Sequence, residues 1–268
     1  MTDYSHYTRL LVDITDHLAT VTLNRPEHGN AIDHPMHREL SRIWVDLAED
    51  PEVYAVLLTG AGAAFSVGGN VKGMLERPGG DVTAEGEVFE PGAARRIVYN
   101  LLDLDKPVVC AMHGHAIGLG ATIALLSDII VASETAKIAD THVKVGLVAG
   151  DGGAALWPLL VGPARAKELL MRGLLLSGTE AERIGLVNHA VPADEVLSTA
   201  RQIARELADG PTWAIRWTKL SVNKWLKQQV NLIFDTSMAL EMATFHTDDH
   251  REAVQAFIEK RRPEFTGR

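Results

Sequence analysis

Val108-Val109-Cys110-Ala111-Met112-His113-Gly114-His115-Ala116-Ile117-Gly118-Leu119-Gly120 is the stretch whose reading decides the fold. Val108 to Met112 is a short, wholly apolar run of the kind a buried strand shows. Gly118 and Gly120 follow in a turn, and the apolar residues after them run as a helix to near Ser127. Asp128 to Ala132 is the next strand, and Lys137 to Ala139 a shorter one. Strand, glycine turn, helix and strand in succession predict an α/β domain with a largely parallel sheet. Upstream, Arg9 to Thr15 and Ala19 to Asn24 alternate with period two across Asp16-His17, a hairpin. Asp33 caps a helix carrying Met36, Leu40, Ile43, Trp44 and Leu47 at helical spacing, and Tyr54 to Thr59 is another buried strand. Arg77 to Gly92 has no period and reads as a mobile surface insertion, followed by a helix from Ala93 to Leu104. Downstream, Gly146 to Gly153 is a second glycine-rich turn before a helix at Ala154 to Leu160. Thr179 caps a short helix, and Leu186 to Val191 is the last strand. From Ala193 on the chain reads as helix, broken near Asp209-Gly210-Pro211 and Thr247-Asp248.

Composition narrows the function. The chain has 268 residues, 46% hydrophobic and 23% charged, the balance of a globular protein with a real core. Lys and Arg number 26 against 35 Asp and Glu, a net charge of −9, which argues against a nucleic-acid-binding surface. The lone cysteine, Cys110, excludes an intrachain disulfide and a cysteine-based zinc site. Met1 to Thr8 is polar, so no signal peptide is expected, and Ala116 to Ala132 is interrupted by Ser127 and Asp128, so no membrane span is expected. The expectation is a cytoplasmic protein.

The chemistry concentrates at few places. The turns Ser66 to Asn70 and Gly118 to Gly120 each end a strand, where backbone N–H groups can point outward and two of them together can hold an oxyanion. Neither turn is a P-loop or a dinucleotide fingerprint, and tight packing alone would also account for either. His113-x-His115 and His246-xxx-His250 have metal-like spacing but no third ligand, so no metal is expected. His142 lies in a loop with Asp140 two residues before and Asp151 nine after, a candidate base held by a carboxylate. No Gly-x-Ser-x-Gly elbow is present.

Four motifs in order then resemble the crotonase superfamily, the enoyl-CoA hydratase/isomerase family. They are Leu23-Asn24-Arg25-Pro26 with Asn30-Ala31, Ala64-Phe65-Ser66-Val67-Gly68-Gly69-Asn70, the block Lys106 to Gly120 with Ser127 to Ala132, and Ala256-Phe257-Ile258-Glu259-Lys260-Arg261-Arg262-Pro263. The resemblance implies a spiral of ββα turns over residues 1–195 and a helical C-terminal region, 196–268, that packs trimers or hexamers. It implies an acyl-CoA thioester as substrate, with CoA as part of that substrate and no separate cofactor. The oxyanion hole would use the N–H groups of Gly69 and Leu119. Arg25, Lys72 and Lys260 stand where the family contacts CoA phosphates, and Ala31, Val67 and Thr122 would line the substrate site.

The departures from the family bear on mechanism. Its hydratases use two glutamates, and here Thr122 and His142 occupy their positions. The His142/Asp151 pair resembles instead the family's β-diketone hydrolases, with Glu241 on a C-terminal helix where those enzymes carry an acid. The Trp and His that those enzymes also use would align with His37 and Leu119, so that match is partial. The leading reading is a CoA-thioester enzyme with His142 as base, Asp151 orienting it and Glu241 as a second acid. A β-diketone C–C hydrolase and a catalytically silent binding or assembly protein are the alternatives. Trp213, Trp217, Trp225, Leu232, Phe234, Met238 and Met242 are expected to pack against the core and neighbouring subunits.

Overall fold

A computed structural model describes residues 2–71 and 92–268. Lys72 and nearly all of the insertion read at Arg77 to Gly92 lie outside the described residues. The hairpin is β1 (Leu10–Thr15) and β2 (Leu18–Leu23), antiparallel, with Asp16 and His17 at positive φ in the turn. Helix α1 (His34–Glu49) starts where expected, because the Asp33 carboxylate accepts from the Met36 N–H at 3.0 Å. A cap of this kind contributes about 1 kcal/mol.

The next strands are β3 (Ala55–Gly60), β4 (Val108–Met112), β6 (Ile129–Ser133) and β9 (His189–Val191). With β1 and β2 they form a sheet in the order β1-β2-β3-β4-β6-β9, parallel from β2 onward. β4 is buried throughout, because α1 and α2 (Gly92–Asp103) cover one face of the sheet and α7 (Val196–Ala208) the other. A second sheet joins β5 (Ala116–Ile117), β7 (Lys137–Ala139) and β8 (Leu176–Ser177). The chain alternates between the sheets, β4 to β5 and β6 to β7, with α3 (Leu119–Leu125) between the pairs. This is the expected spiral of the crotonase fold, with the helical C-terminal region after it.

Helix α4 (Gly153–Val161) is followed by α5 (Pro163–Arg172), a helix the sequence reading passed over. The short helix α6 (Gly178–Arg183) is capped by Ser177 rather than Thr179. Ser177 and Glu180 form a reciprocal capping box, with the Ser177 Oγ accepting from the Glu180 N–H at 3.2 Å. The last strand is shorter than read, because Ile184 to Asn188 turn before entering the sheet.

Helix α8 (Thr212–Thr244) and α9 (Asp248–Glu259) complete the chain. Val230, Phe234, Ser237 and Glu241 form one buried stripe along α8 at helical spacing. Phe234 meets the Tyr99 ring edge-on at 5.8 Å, and the Tyr99 hydroxyl donates to Asn231 at 2.7 Å. These contacts fix how far Glu241 reaches into the body of the molecule. Of the residues expected to pack, Phe234 is in the core and Met238 packs against it. Trp213, Trp217, Trp225 and Leu232 are 59%, 60%, 55% and 72% exposed in the single chain. Among the described residues no helix is long and apolar enough to cross a membrane.

Candidate active site

The first half of the site is backbone. Asn30, fully buried, donates through Nδ2 to the carbonyls of Ala61 and Ala64 at 2.8 Å and Phe65 at 3.1 Å, while its Oδ1 accepts from the Arg25 N–H at 2.8 Å. Ser66 Oγ donates to the Asn30 carbonyl at 2.8 Å and accepts from the Gly68 N–H at 3.2 Å. The turn so shaped is laced to the second one. The Ser66 N–H donates to His115 O, and the Ile117 N–H donates to Ser66 O, both at 2.9 Å. Gly68 has φ +83°, and a β-carbon there would lie 2.5 Å from Ile117 O, so no larger residue permits this approach. A β-carbon at Gly120 would lie 2.7 Å from Ser66 Cβ. Leu119 is the first residue of α3, after Gly118. Among the described residues, the N–H groups of Gly69 and Leu119 are given to no acceptor. Two free donors on adjacent turns can stabilise one oxyanion.

The second half is side chains. β5 and β7 pair Ile117 with Ala139, and the Gly118 N–H donates to Ala139 O at 2.9 Å, so the chain leaving β7 runs beside the second turn. His142 sits three residues on, at the start of a 3-10 turn (His142–Val145). A β-carbon at Gly118 would be 3.6 Å from its Cε1. The Nδ1 of His142 is 2.7 Å from Asp140 Oδ1, and its Nε2 is 3.4 Å from Asp151 Oδ2 and 3.8 Å from Glu241 Oε1. Asp151 is therefore at the opposite ring nitrogen from the one that orients the histidine; that place belongs to Asp140, whose Oδ1 also accepts the His142 backbone N–H at 3.2 Å. In the sequence Asp140 stands two residues before His142, a spacing that gives it no role by itself.

The turn Gly150-Asp151-Gly152-Gly153 makes this convergence possible. β-Carbons at its three glycines would lie 2.5 Å from Glu241 Cβ, 2.4 Å from Thr122 Cγ2 and 2.0 Å from Asp140 Oδ2. Thr122, one turn along α3 from Leu119, has its Oγ1 3.5 Å from Asp151 Oδ1.

Burial alone would lower the affinity of His142 for a proton, but the charges of Asp151 and then Asp140 outweigh it, and its pKa stands well above the usual imidazole range. Glu241 is pushed up to about 8 by burial, with Asp151 and Asp140 adding to the rise and His142 opposing it. Both shifts favour the protonated forms of His142 and Glu241. On α1, the pKa of His37 falls to about 4 through desolvation, with the charge of Asp151 opposing the fall. No helical pattern in the sequence marked it out beyond its alignment with the hydrolases.

Asp140, His142 and Asp151 place one ligand atom each within 4.8 Å of one another. The 2.7 Å contact between Nδ1 and Oδ1 is a hydrogen bond, which leaves Nε2 as the ring nitrogen facing Asp151 and Glu241. The other histidine pairs are spent elsewhere. His113 Nε2 lies 3.0 Å from Gly62 O, His115 Nδ1 takes the Lys137 N–H at 3.0 Å, and His250 Nδ1 lies 2.6 Å from Val145 O.

The remaining expected residues sit farther out. Arg25 is engaged by Asp33 at 3.2 Å and by the Ala31 carbonyl at 2.7 Å. Val67 donates its N–H to Gly29 O at 3.0 Å and is half-exposed. Lys260 lies exposed in a left-handed conformation past the end of α9, and no described contact joins it to the cluster.

Residues 13–268 match the family model for enoyl-CoA hydratase/isomerase. The chain is 34% identical over 262 residues to the 1,2-epoxyphenylacetyl-CoA isomerase of Escherichia coli strain K12, covering 97% of this chain and 98% of that protein. It is 35% identical over 253 residues to the short-chain-enoyl-CoA hydratase of Clostridium acetobutylicum, covering 92% and 93%. The crystal structure of an enoyl-CoA hydratase/isomerase from Mycobacterium paratuberculosis superposes with a TM-score of 0.87 at 35% identity, over 94% of this chain and 99% of that one.

Proposed function

This chain belongs to the enoyl-CoA hydratase/isomerase family and is an enzyme acting on an acyl-CoA, and we propose that it works with a His142/Asp151 pair in place of glutamates. The thioester oxygen sits between the N–H groups of Gly69 and Leu119, which take up its negative charge as the enolate forms. The single observation behind this reading is the place of the imidazole: against the second glycine turn on one side and 3.4 Å from Asp151 on the other.

In a hydration, Nε2 of neutral His142 takes a proton from water as the oxygen bonds to Cβ, and Asp151 stabilises the resulting cation. The Glu241 carboxyl then gives its proton to Cα of the enolate. Passing the proton of His142 to Glu241 restores both groups, so atoms and charge balance over the cycle. Because the carboxylates favour the protonated form of His142, the base form grows as pH rises toward its raised pKa. Arg25 and Lys260, with Lys72, are the cations proposed for the CoA phosphates. The exposed Trp213, Trp217, Trp225 and Leu232 are proposed to be covered by other copies of the chain in a trimer or hexamer.

A second reading rests on Glu241. A buried carboxyl whose pKa is pushed up to about 8, 3.8 Å from the same imidazole, is equipped to donate to a second carbonyl, as a β-diketone hydrolase requires. There His142 would direct water at a ketone, the C–C bond would break, and the leaving enolate would rest on the same two N–H groups. A panel of enoyl-CoAs and β-diketones, read by mass spectrometry, separates the two. The leading reading expects water added to an enoyl-CoA. Cleavage of a diketone to a carboxylic acid, with no CoA thioester turned over, would replace it by the second.

A further inference from the structure

We infer that Asp140 is a positioning residue of this site, holding the His142 ring by Nδ1 so that Nε2 is the atom presented to Asp151, Glu241 and the substrate. The inference rests on the reading that His142 moves the proton, but its geometry stands apart from any substrate. One oxygen of Asp140 accepts from both the ring at 2.7 Å and the backbone N–H of His142 at 3.2 Å, so it fixes the start of the 3-10 turn and the ring together. The anchor is rigid. Asp140 follows directly on β7, whose last residue pairs with Ile117 beside the second glycine turn, and its side chain is 1% exposed. Its other oxygen is buried against Gly153 at the first turn of α4, with no hydrogen-bond partner among the described residues. A carboxylate is stabilised there by the positive end of the helix.

Asp151 is unsuited to the same task. Its 3.4 Å contact is longer than a charge-assisted hydrogen bond, and it faces the nitrogen that must exchange its proton. Asp140 thus sets the tautomer. With Nδ1–H held, the neutral ring keeps the Nε2 lone pair free to accept a proton, the arrangement a general base needs. The ring is faced by Asp140 from the end of β7, Asp151 from the glycine turn and Glu241 from α8. His37 on α1 feels the charge of Asp151.

The test is nitrogen-15 NMR of the histidine side chains in the substrate-free protein, wild type and Asp140→Asn. In the wild type, the neutral form of His142 should carry its proton on Nδ1. In Asp140→Asn, the ring should titrate at a pH lower by about one to three, since one of its two nearest opposing charges is gone. On the acyl-CoA that the wild type turns over, kcat should fall roughly 100-fold with KM little changed, and the ascending limb of the pH profile should move down with the ring. A neutral wild-type ring protonated on Nε2, or an unchanged titration in Asp140→Asn, would overturn the inference. If Asp140→Asn fails to fold, the wild-type tautomer decides alone. A protein that passes the NMR test yet turns over no acyl-CoA overturns the proposed function and leaves the positioning role standing.

Discussion

The two halves of the site are built on opposite principles. The turns at Gly68-Gly69 and Gly118-Leu119 contribute backbone N–H groups. These carry no titratable proton and are held by buried hydrogen bonds through Asn30 and Ser66. The cluster of Asp140, His142, Asp151 and Glu241 contributes charge and protons, drawn from the end of β7, a 3-10 turn, a glycine turn and a helix about a hundred residues away. The first half sets where an oxyanion can rest, and its strength should not depend on pH. The second half sets when a proton moves, and its strength should depend on pH steeply. Substitutions in each half are therefore distinguishable by the shape of the rate profile as well as by the size of the loss.

The largest expected effect is in the side-chain half. His142→Ala should lower turnover by about 100- to 10,000-fold, the usual cost of losing a general base. Retention of more than about a tenth of the rate, measured by single-turnover kinetics, would reduce His142 to a lining residue. The next is in the backbone half. Gly68→Ala forces a β-carbon to within 2.5 Å of Ile117 O and should spread the two turns. A loss of about 100- to 1,000-fold in kcat is expected, comparable to removing one oxyanion donor.

Glu241→Gln sharpens the comparison within the proton network. A group whose acid form is needed loses activity as pH rises through its pKa, here about 8. The variant should lower the rate but abolish that alkaline fall, seen as the missing descending limb of its pH profile. The same shift has a stability consequence of defined sign. A carboxyl whose pKa is raised on folding favours the fold while it is protonated and loses that contribution as pH rises through about 8. Thermal melts at pH 9 should therefore favour the glutamine variant relative to wild type more than melts at pH 6 do. The smallest effect on chemistry is outside both halves. Trp213→Ser with Trp217→Ser should lower the mass seen by light scattering toward that of one chain while the isolated fold persists, because both side chains are about 60% exposed.

The halves also differ in how far the sequence discloses them. Glycine at 68 and 120 is demanded by close approach and at 118 by a φ of +54°, so the first half is written locally, as two glycine turns. Val108–Met112 is legible to the residue, because this buried strand is an unbroken apolar run. Two-residue strands such as Ala116–Ile117 and Leu176–Ser177 are too short to show a period. Pro163 at its start and Gly173 at its end mark α5 in the sequence, and Ser177-x-x-Glu180 spells the capping box of α6.

The side-chain half is written across the chain. His142 with Asp151 is visible as a pairing, whereas Glu241 is reached through family likeness, its place on the Val230–Phe234 stripe giving burial but no partner. The role of Asp140 depends on which ring nitrogen it meets, a fact of three-dimensional geometry that spacing does not carry.

The measurement that bears most directly on this division of labour is the pH dependence of kcat/KM for Asp151→Asn beside that for Gly68→Ala, on the acyl-CoA the wild type turns over. Asp151 is the strongest charge holding His142 protonated, so its loss should move the ascending limb to lower pH. Gly68→Ala should scale the whole curve down and leave its midpoint in place. If both variants shift the curve alike, or if Asp151→Asn leaves the limb where it is, the proton-moving role assigned to the His142 cluster is wrong.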